Sequence, residues 1–234
     1  DGLDRRYEMK ETKLDLAYLK SVIESKGVDT IFTWYRSFKE GFNKLEFVPN
    51  KFKVYNFEHT FSYSENNKST TKEDTIIFAA RLDEQKNPLG FLDAVEYCLI
   101  NDYNLISQYK VILLGSGALF NEVEKRILFL KNQYHFEINF HFTPNIEPIL
   151  RKSKIFVSAQ KFDNFSSLSM LEALNQGCII VALDVGQTSE YVHDFKNGFL
   201  AKRNSDLGVH VLSSLRLTKD EQINYSQHSR KIVA

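Results

Sequence analysis

An α/β fold, a parallel sheet with helices on both faces, is what this sequence predicts, and three observations predict it. Short apolar runs recur at 75–80 (TIIFAA), 110–114 (KVILL), 137–142 (EINFHF), 154–159 (KIFVSA), 178–183 (CIIVAL) and 198–201 (GFLA). The stretches between them carry helical patterns, so the chain reads β-α-β-α. Most of the runs are apolar throughout instead of alternating, which marks strands covered on both faces.

The elements upstream form a smaller, second α/β region. Residues 12–26 place Leu14, Leu16, Leu19, Val22 and Ile23 at mostly helical spacing, and Gly27 stops the helix. A strand (VDTIFTW), a short helix (SFKEGF) and a second strand (KFKVYN) follow. One helix and two short strands cannot close a core alone, and Phe32, Trp34, Tyr35 and Phe38 read as packing this region, residues 1–57. Residues 58–73 are polar and lack apolar period, as a linker does. Residues 74–234 then make up the main domain.

Composition excludes several classes of function. With 43% hydrophobic and 26% charged residues over 234, the chain can bury a sizeable core. Thirty basic residues balance thirty acidic ones, so the chain as a whole offers no footprint for nucleic acid or an anionic membrane. Cys98 and Cys178 have neither disulfide-framework nor metal-ligand spacing and read as core thiols. The six histidines likewise show no ligand spacing, and no metal is expected. The longest apolar run, CIIVAL, is far shorter than a spanning helix. The expected location is therefore the cytoplasm, although the chain opens without a methionine and a targeting segment could lie upstream.

In parallel sheets ligands bind at the carboxyl ends of the strands, so the loops there are where chemistry is expected. The first, AARLDEQKNP, places Arg81 and Lys86 between a strand end and a helix that Asn87 caps and Pro88 begins. A guanidinium fork, a point charge and free helix amides make an anion site. Two solvated surface charges are the plainer reading. The second, LLGSGALF, has Gly115 and Gly117 but Phe120 where a dinucleotide fingerprint needs its third glycine. A tight strand-to-helix turn accounts for both glycines equally well.

The loop after the fourth run leads into a helix expected to begin near Ser166 or Ser167, with unpaired first-turn amides. Glu172 lies about one turn in, and helical side chains lean toward the N-terminus, so its carboxylate can reach that mouth. Adjacent hydroxyls, such as a ribose diol, suit both its oxygens. The alternative is a capping or dipole-complementing glutamate.

Three segments, FAARLDEQKNP, VILLGSGALFNEVEKRI and SKIFVSAQKFDNFSSLSMLEALNQGCIIVALDVGQTSEYVHDFKNGFL, together resemble the C-terminal, donor-binding half of a retaining GT-B glycosyltransferase of family 4. The resemblance covers roughly residues 45–230 and implies a Rossmann-like sheet. It implies that Arg81 and Lys86 hold the donor diphosphate, with Ala80 where the family has glycine. Glu172 matches the second glutamate of its E-x7-E motif and would bind the ribose. Asn164 stands where the first glutamate belongs, and Asp163 fits if the loop carries an extra residue. The implied catalytic set is Arg81, Lys86 and Glu172. The implied substrate-binding set is Gly115, Gly117, Thr143, Asp163, Asn164, Phe165, Ser166, Ser167 and Leu168.

By the same resemblance the partners are a nucleotide-diphosphate sugar and an acceptor hydroxyl on a glycan, lipid or protein. No cofactor is implied, and residues 1–57 would be the remnant of an N-terminal, acceptor-side Rossmann-like domain, largely missing here, through which peripheral membrane association would come. The closing helix of the family is also missing, so the chain is expected to be a fragment inactive alone. Two rival readings remain: a non-catalytic glycosyltransferase-like module binding a nucleotide or a partner, and a nicotinamide-dependent oxidoreductase suggested by GSG.

Overall fold

The structure, a computed structural model, describes residues 20–25, 29–33, 53–56, 71–162 and 167–233. The chain divides into two units, 1–62 and 63–234. In the first, β1 (Thr30–Thr33) and β2 (Lys53–Asn56) pair in parallel, and the Phe32 and Tyr55 rings stack 5.5 Å apart across the pair. A helical turn covers 20–24 and buries Ile23. The helix expected at 37–42, the packing of Trp34, Tyr35 and Phe38, and nearly all of the expected linker lie outside the described residues.

The second unit holds six parallel strands: β3 (Glu73–Ala79), β4 (Lys110–Leu114), β5 (Ile138–His141), β6 (Ser153–Ser158), β7 (Ile179–Leu183) and β8 (Gly198–Ala201). Their order is β5-β4-β3-β6-β7-β8. This is the Rossmann-like α/β sheet expected from the pattern, with each strand within two residues of its apolar run.

Burial explains why those runs do not alternate. All five residues of β7 are buried, as are Thr75 to Ala79 of β3. Ile76 and Phe78 join a core with Phe91, Leu92, Val95 and Cys98 of helix α1 (Pro88–Asn101), where the Phe78 and Phe91 rings stack at 5.3 Å. Ile77 and Ala79, pointing the other way, are buried just as fully. Both cysteines are free and buried, and burial pushes the Cys98 thiol up to about 12.

The helices fall into two groups. Helix α1 packs on α3 (Phe120–Tyr134) and α6 (Leu207–Leu215), with the short α2 (Tyr103–Ile106) at its end. Helix α5 (Leu168–Asn175) packs on α4 (Glu147–Lys152) and α7 (Lys219–Val233). Arg230 of α7 donates to the Gln176 carbonyl at 3.2 Å, and Ser229 donates to the Cys178 carbonyl at 2.7 Å. The far end of α5 is thereby fixed. Among the described residues no helix is long and apolar enough to cross a membrane.

The chain runs from β3 outward through β4 to β5, then returns to place β6 on the other side of β3. The loops after β3 and β6 therefore diverge above neighbouring strands, and a crevice opens between them. Asn87 joins the two sides. It adopts a left-handed backbone (φ 54°), accepts from the Gly90 amide at 3.2 Å as the cap of α1, and donates to the Ala159 carbonyl beyond β6 at 3.1 Å. Asn87→Ala removes the cap, the bond to Ala159 and a second one to Asn204 Oδ1 at 2.9 Å, and alanine tolerates that backbone less well. The substitution should cost about 2–3 kcal/mol of unfolding free energy in urea titration.

Candidate functional site

The first wall of the crevice is the β3–α1 loop. Leu82 is wholly buried, and its backbone is committed on both sides: its amide donates to Ser116 and its carbonyl accepts from Leu119, each at 2.9 Å. Anchored there, the loop turns Arg81 outward, with 72% of its side chain exposed and Asp83 at 3.4 Å. The Lys86 amide donates to the Asp83 carboxylate at 2.8 Å, closing the turn that ends at Asn87.

The Lys86 ammonium is half-buried and donates to Gln160 Oε1 at 2.7 Å. Burial pulls its affinity for a proton below the ordinary lysine value, and the Arg81 charge pushes the same way against the opposing pull of Asp83. An arriving anion would relieve both effects.

The glycine loop forms the second wall by pressing on the first. A side chain on Gly115 would collide with the Ala80 carbonyl, and one on Gly117 (φ 155°) would meet the Leu82 backbone oxygen and nitrogen at 2.5 and 2.8 Å. Both glycines thus permit backbone-on-backbone packing between the two loops. Gly115 also faces the crevice, whereas Gly117 does not line it.

Beyond β5, Phe142 is 65% exposed at the rim, and the Thr143 hydroxyl accepts from the Asn145 amide at 3.3 Å. The remaining wall is the start of α5, whose cap residue Ser167 makes no side-chain capping bond. Its hydroxyl lies 3.4 Å from that of Ser169.

Together these loops enclose an open cleft of about 430 Å³ at the carboxyl ends of β3, β4 and β5 and the amino end of α5. Of the expected residues, the structure brings Arg81, Lys86, Gly115, Thr143, Ser167 and Leu168 to this cleft. Asp163, Asn164, Phe165 and Ser166 lie outside the described residues. Sequence reasoning missed Ser116, Phe142, Ile146 and Ser169, which also line it. Each lies within two residues of a strand's end or a helix's start, a positional signal the charge-based search passed over. Among the described residues no group of three or more His, Cys, Asp or Glu side chains is placed to hold a metal ion.

Glu172 is half-buried on α5 and is not among the residues lining the cleft. Among the described residues no hydrogen bond or cation reaches its carboxylate. Burial raises its proton affinity, and the neighbouring Glu147 charge raises it further.

A sequence profile of the family described as glycosyl transferases group 1 matches residues 60–229. The chain belongs to that family. It is 28% identical over 162 residues to the UDP-Gal:α-D-GlcNAc-diphosphoundecaprenol α-1,3-galactosyltransferase of Escherichia coli, covering 65% of this chain and 39% of that protein. Among solved structures it resembles S. aureus TarM, crystallised with fondaparinux, α-GlcNAc-glycerol and UDP (TM-score 0.71, 18% identity, 93% of this chain and 42% of that one). It also resembles the pneumococcal O-GlcNAc transferase GtfA in complex with UDP and GlcNAc (TM-score 0.67, 15% identity, 90% and 42%). The chain thus spans about two fifths of the length of the curated relatives it matches.

The Glu172 environment has a measurable consequence for stability. A carboxyl that binds its proton more tightly folded than unfolded favours the fold below the ordinary carboxylate range. That contribution is lost as pH rises through the raised value, since the folded state then sheds a proton it held preferentially. Near neutral pH the ionised side chain works against the fold. Glu172→Gln should accordingly raise the melting temperature at pH 7, with the gap to the parent closing as pH falls below the carboxylate range. A capping glutamate predicts a lower melting temperature at pH 7.

Proposed function

We propose that this chain is the donor-binding part of a retaining GT-B glycosyltransferase of family 4, which moves a hexose from a nucleotide-diphosphate sugar to an acceptor hydroxyl. The observation that carries the reading is the pairing of Arg81 and the half-buried Lys86 across the mouth of one cleft from the start of α5, whose cap residue Ser167 makes no side-chain capping bond. Two cations and a helix N-terminus facing one space suit a diphosphate. UDP is the nucleotide we propose, because the TarM and GtfA structures were determined with it.

In this reading the bond between the sugar C1 and the diphosphate oxygen breaks, and its electron pair leaves with the diphosphate. Arg81 and Lys86 stabilise that charge in place of a metal ion. The acceptor oxygen attacks C1 from the face the diphosphate leaves, and the hydroxyl proton passes to the departing diphosphate oxygen. The acceptor is a hydroxyl on a glycan, lipid or protein, and the Escherichia coli relative, named for a diphosphoundecaprenol-linked sugar, supports a lipid-linked one. Glu172 takes the ribose hydroxyls through a small side-chain movement toward the mouth of α5. In this reading an acceptor-binding domain would orient the attacking hydroxyl against the bound donor.

Lys86→Ala should weaken UDP binding in calorimetry by roughly 1.5–3 kcal/mol, as expected for a lost bond to a charged group. Chelator should leave the parent's affinity unchanged. Equal binding by mutant and parent at fixed salt would remove the diphosphate role.

The ribose role has its own signature. Glu172→Gln should lower UDP affinity by about 1–3 kcal/mol while leaving inorganic pyrophosphate binding unchanged or tighter, since pyrophosphate lacks the diol and gains from a removed negative charge. A 2′,3′-dideoxy nucleotide that binds the parent as tightly as UDP would show that Glu172 reads something else.

A further inference from the structure

Gln160 is buried to 2% exposure two residues past the end of β6, in the loop facing Lys86 across the crevice. Its Oε1 accepts from the Lys86 ammonium at 2.7 Å, and its Nε2 donates to the Phe162 carbonyl at 3.1 Å. The second bond fixes which end of the amide faces the lysine. The same loop is tied to the first by the Lys161 amide, which donates to the Gln85 carbonyl at 2.9 Å, and by Asn87 on Ala159. Gln160 therefore sits in a frame held at three points. A second cavity of about 10 Å³ is lined by both residues together with Ser158 and Ser169.

We propose that Gln160 is a positioning residue for the anion site: it holds the Lys86 ammonium at the cleft wall through a neutral acceptor, leaving the lysine's charge available to the ligand. The chemistry favours an amide over a carboxylate at this point. Both would orient the ammonium, but a carboxylate would neutralise it and repel the incoming phosphate. A hydrocarbon would leave a long, flexible side chain to be ordered only when ligand arrives, at a cost in side-chain entropy. Gln160 thus acts through Lys86 and touches no ligand itself. The inference rests on the diphosphate reading above, and the following measurements separate the two.

UDP and inorganic pyrophosphate are titrated into the parent, Lys86→Met, Gln160→Leu, Gln160→Glu and the Lys86→Met/Gln160→Leu double variant, with folding checked by circular dichroism. Gln160→Leu should weaken both ligands roughly tenfold in the parent background and less than about twofold in the Lys86→Met background, because coupled residues are non-additive. Gln160→Glu, which preserves shape if the leucine variant misfolds, should weaken both ligands at neutral pH. The parent's advantage over it should shrink as pH rises through the range where Lys86 discharges in the parent. The ligand's own titration is common to both proteins and cancels in that ratio. Equal losses from Gln160→Leu in both backgrounds, or a pH-independent ratio, would overturn the positioning role. If Lys86→Met loses affinity while both Gln160 variants bind as the parent does, the diphosphate reading stands and this inference falls. If the parent binds neither ligand, the diphosphate reading itself fails.

Discussion

The site depends on a single constraint: two loops that leave neighbouring parallel strands in different directions must still satisfy their buried backbone groups. Where β3 and β6 end side by side, the chain on one side belongs to α1 and on the other leads to α5. The pairing of β3 with β6 does not continue between these two loops, and unpaired buried amides and carbonyls are costly. The structure answers with bonds across the gap, from Asn87 to the Ala159 carbonyl, from the Lys161 amide to the Gln85 carbonyl, and from Lys86 to Gln160. These bonds close the crevice at its base and leave it open above. The cleft is what remains when the backbone has been satisfied.

The glycine loop shows the same constraint from the other neighbour. Gly115 and Gly117 lie against the Ala80 to Leu82 backbone so closely that no side chain fits between. That approach lets Leu82 bond to both Ser116 and Leu119 and so fixes the direction in which Arg81 leaves the sheet. At Gly117 the glycine shapes the site by supporting the loop that carries Arg81, without facing the cleft.

This division explains what could be read from the sequence. The strands were legible because doubly covered strands are apolar throughout, and β3 and β7 are such strands. Asn87 and Pro88 marked the start of α1 because capping is local chemistry, although nothing in the sequence announced the left-handed backbone at Asn87. The positions of Arg81 and Lys86 followed from the charge on a strand-end loop. Gln160 escaped notice because its importance lies in a partner 74 positions away, and an uncharged amide beside an apolar strand carries no local signal. Phe142 and Ser169 escaped for a similar reason, since only strand order tells which loop ends share one cleft.

Lys86 and Glu172 have opposite charges and are each partly withdrawn from water, yet no ion pair joins them among the described residues. A protein selected for stability alone would pair or expose such groups, because desolvation of a lone charge is a cost that a neighbour can offset. Instead the lysine donates to a neutral amide, with Asp83 offsetting only part of its cost of burial, and the charged neighbour that acts on the glutamate among the described residues is another carboxylate, Glu147. Each arrangement leaves part of that cost uncompensated. A ligand with an anionic portion and a hydroxyl-bearing portion would offset both at once, one at the end of β3 and one along α5. The separation of the two groups onto different elements also keeps the carboxylate from competing with the anion for the lysine. What makes each residue costly to the fold is therefore what would make a bipartite ligand bind.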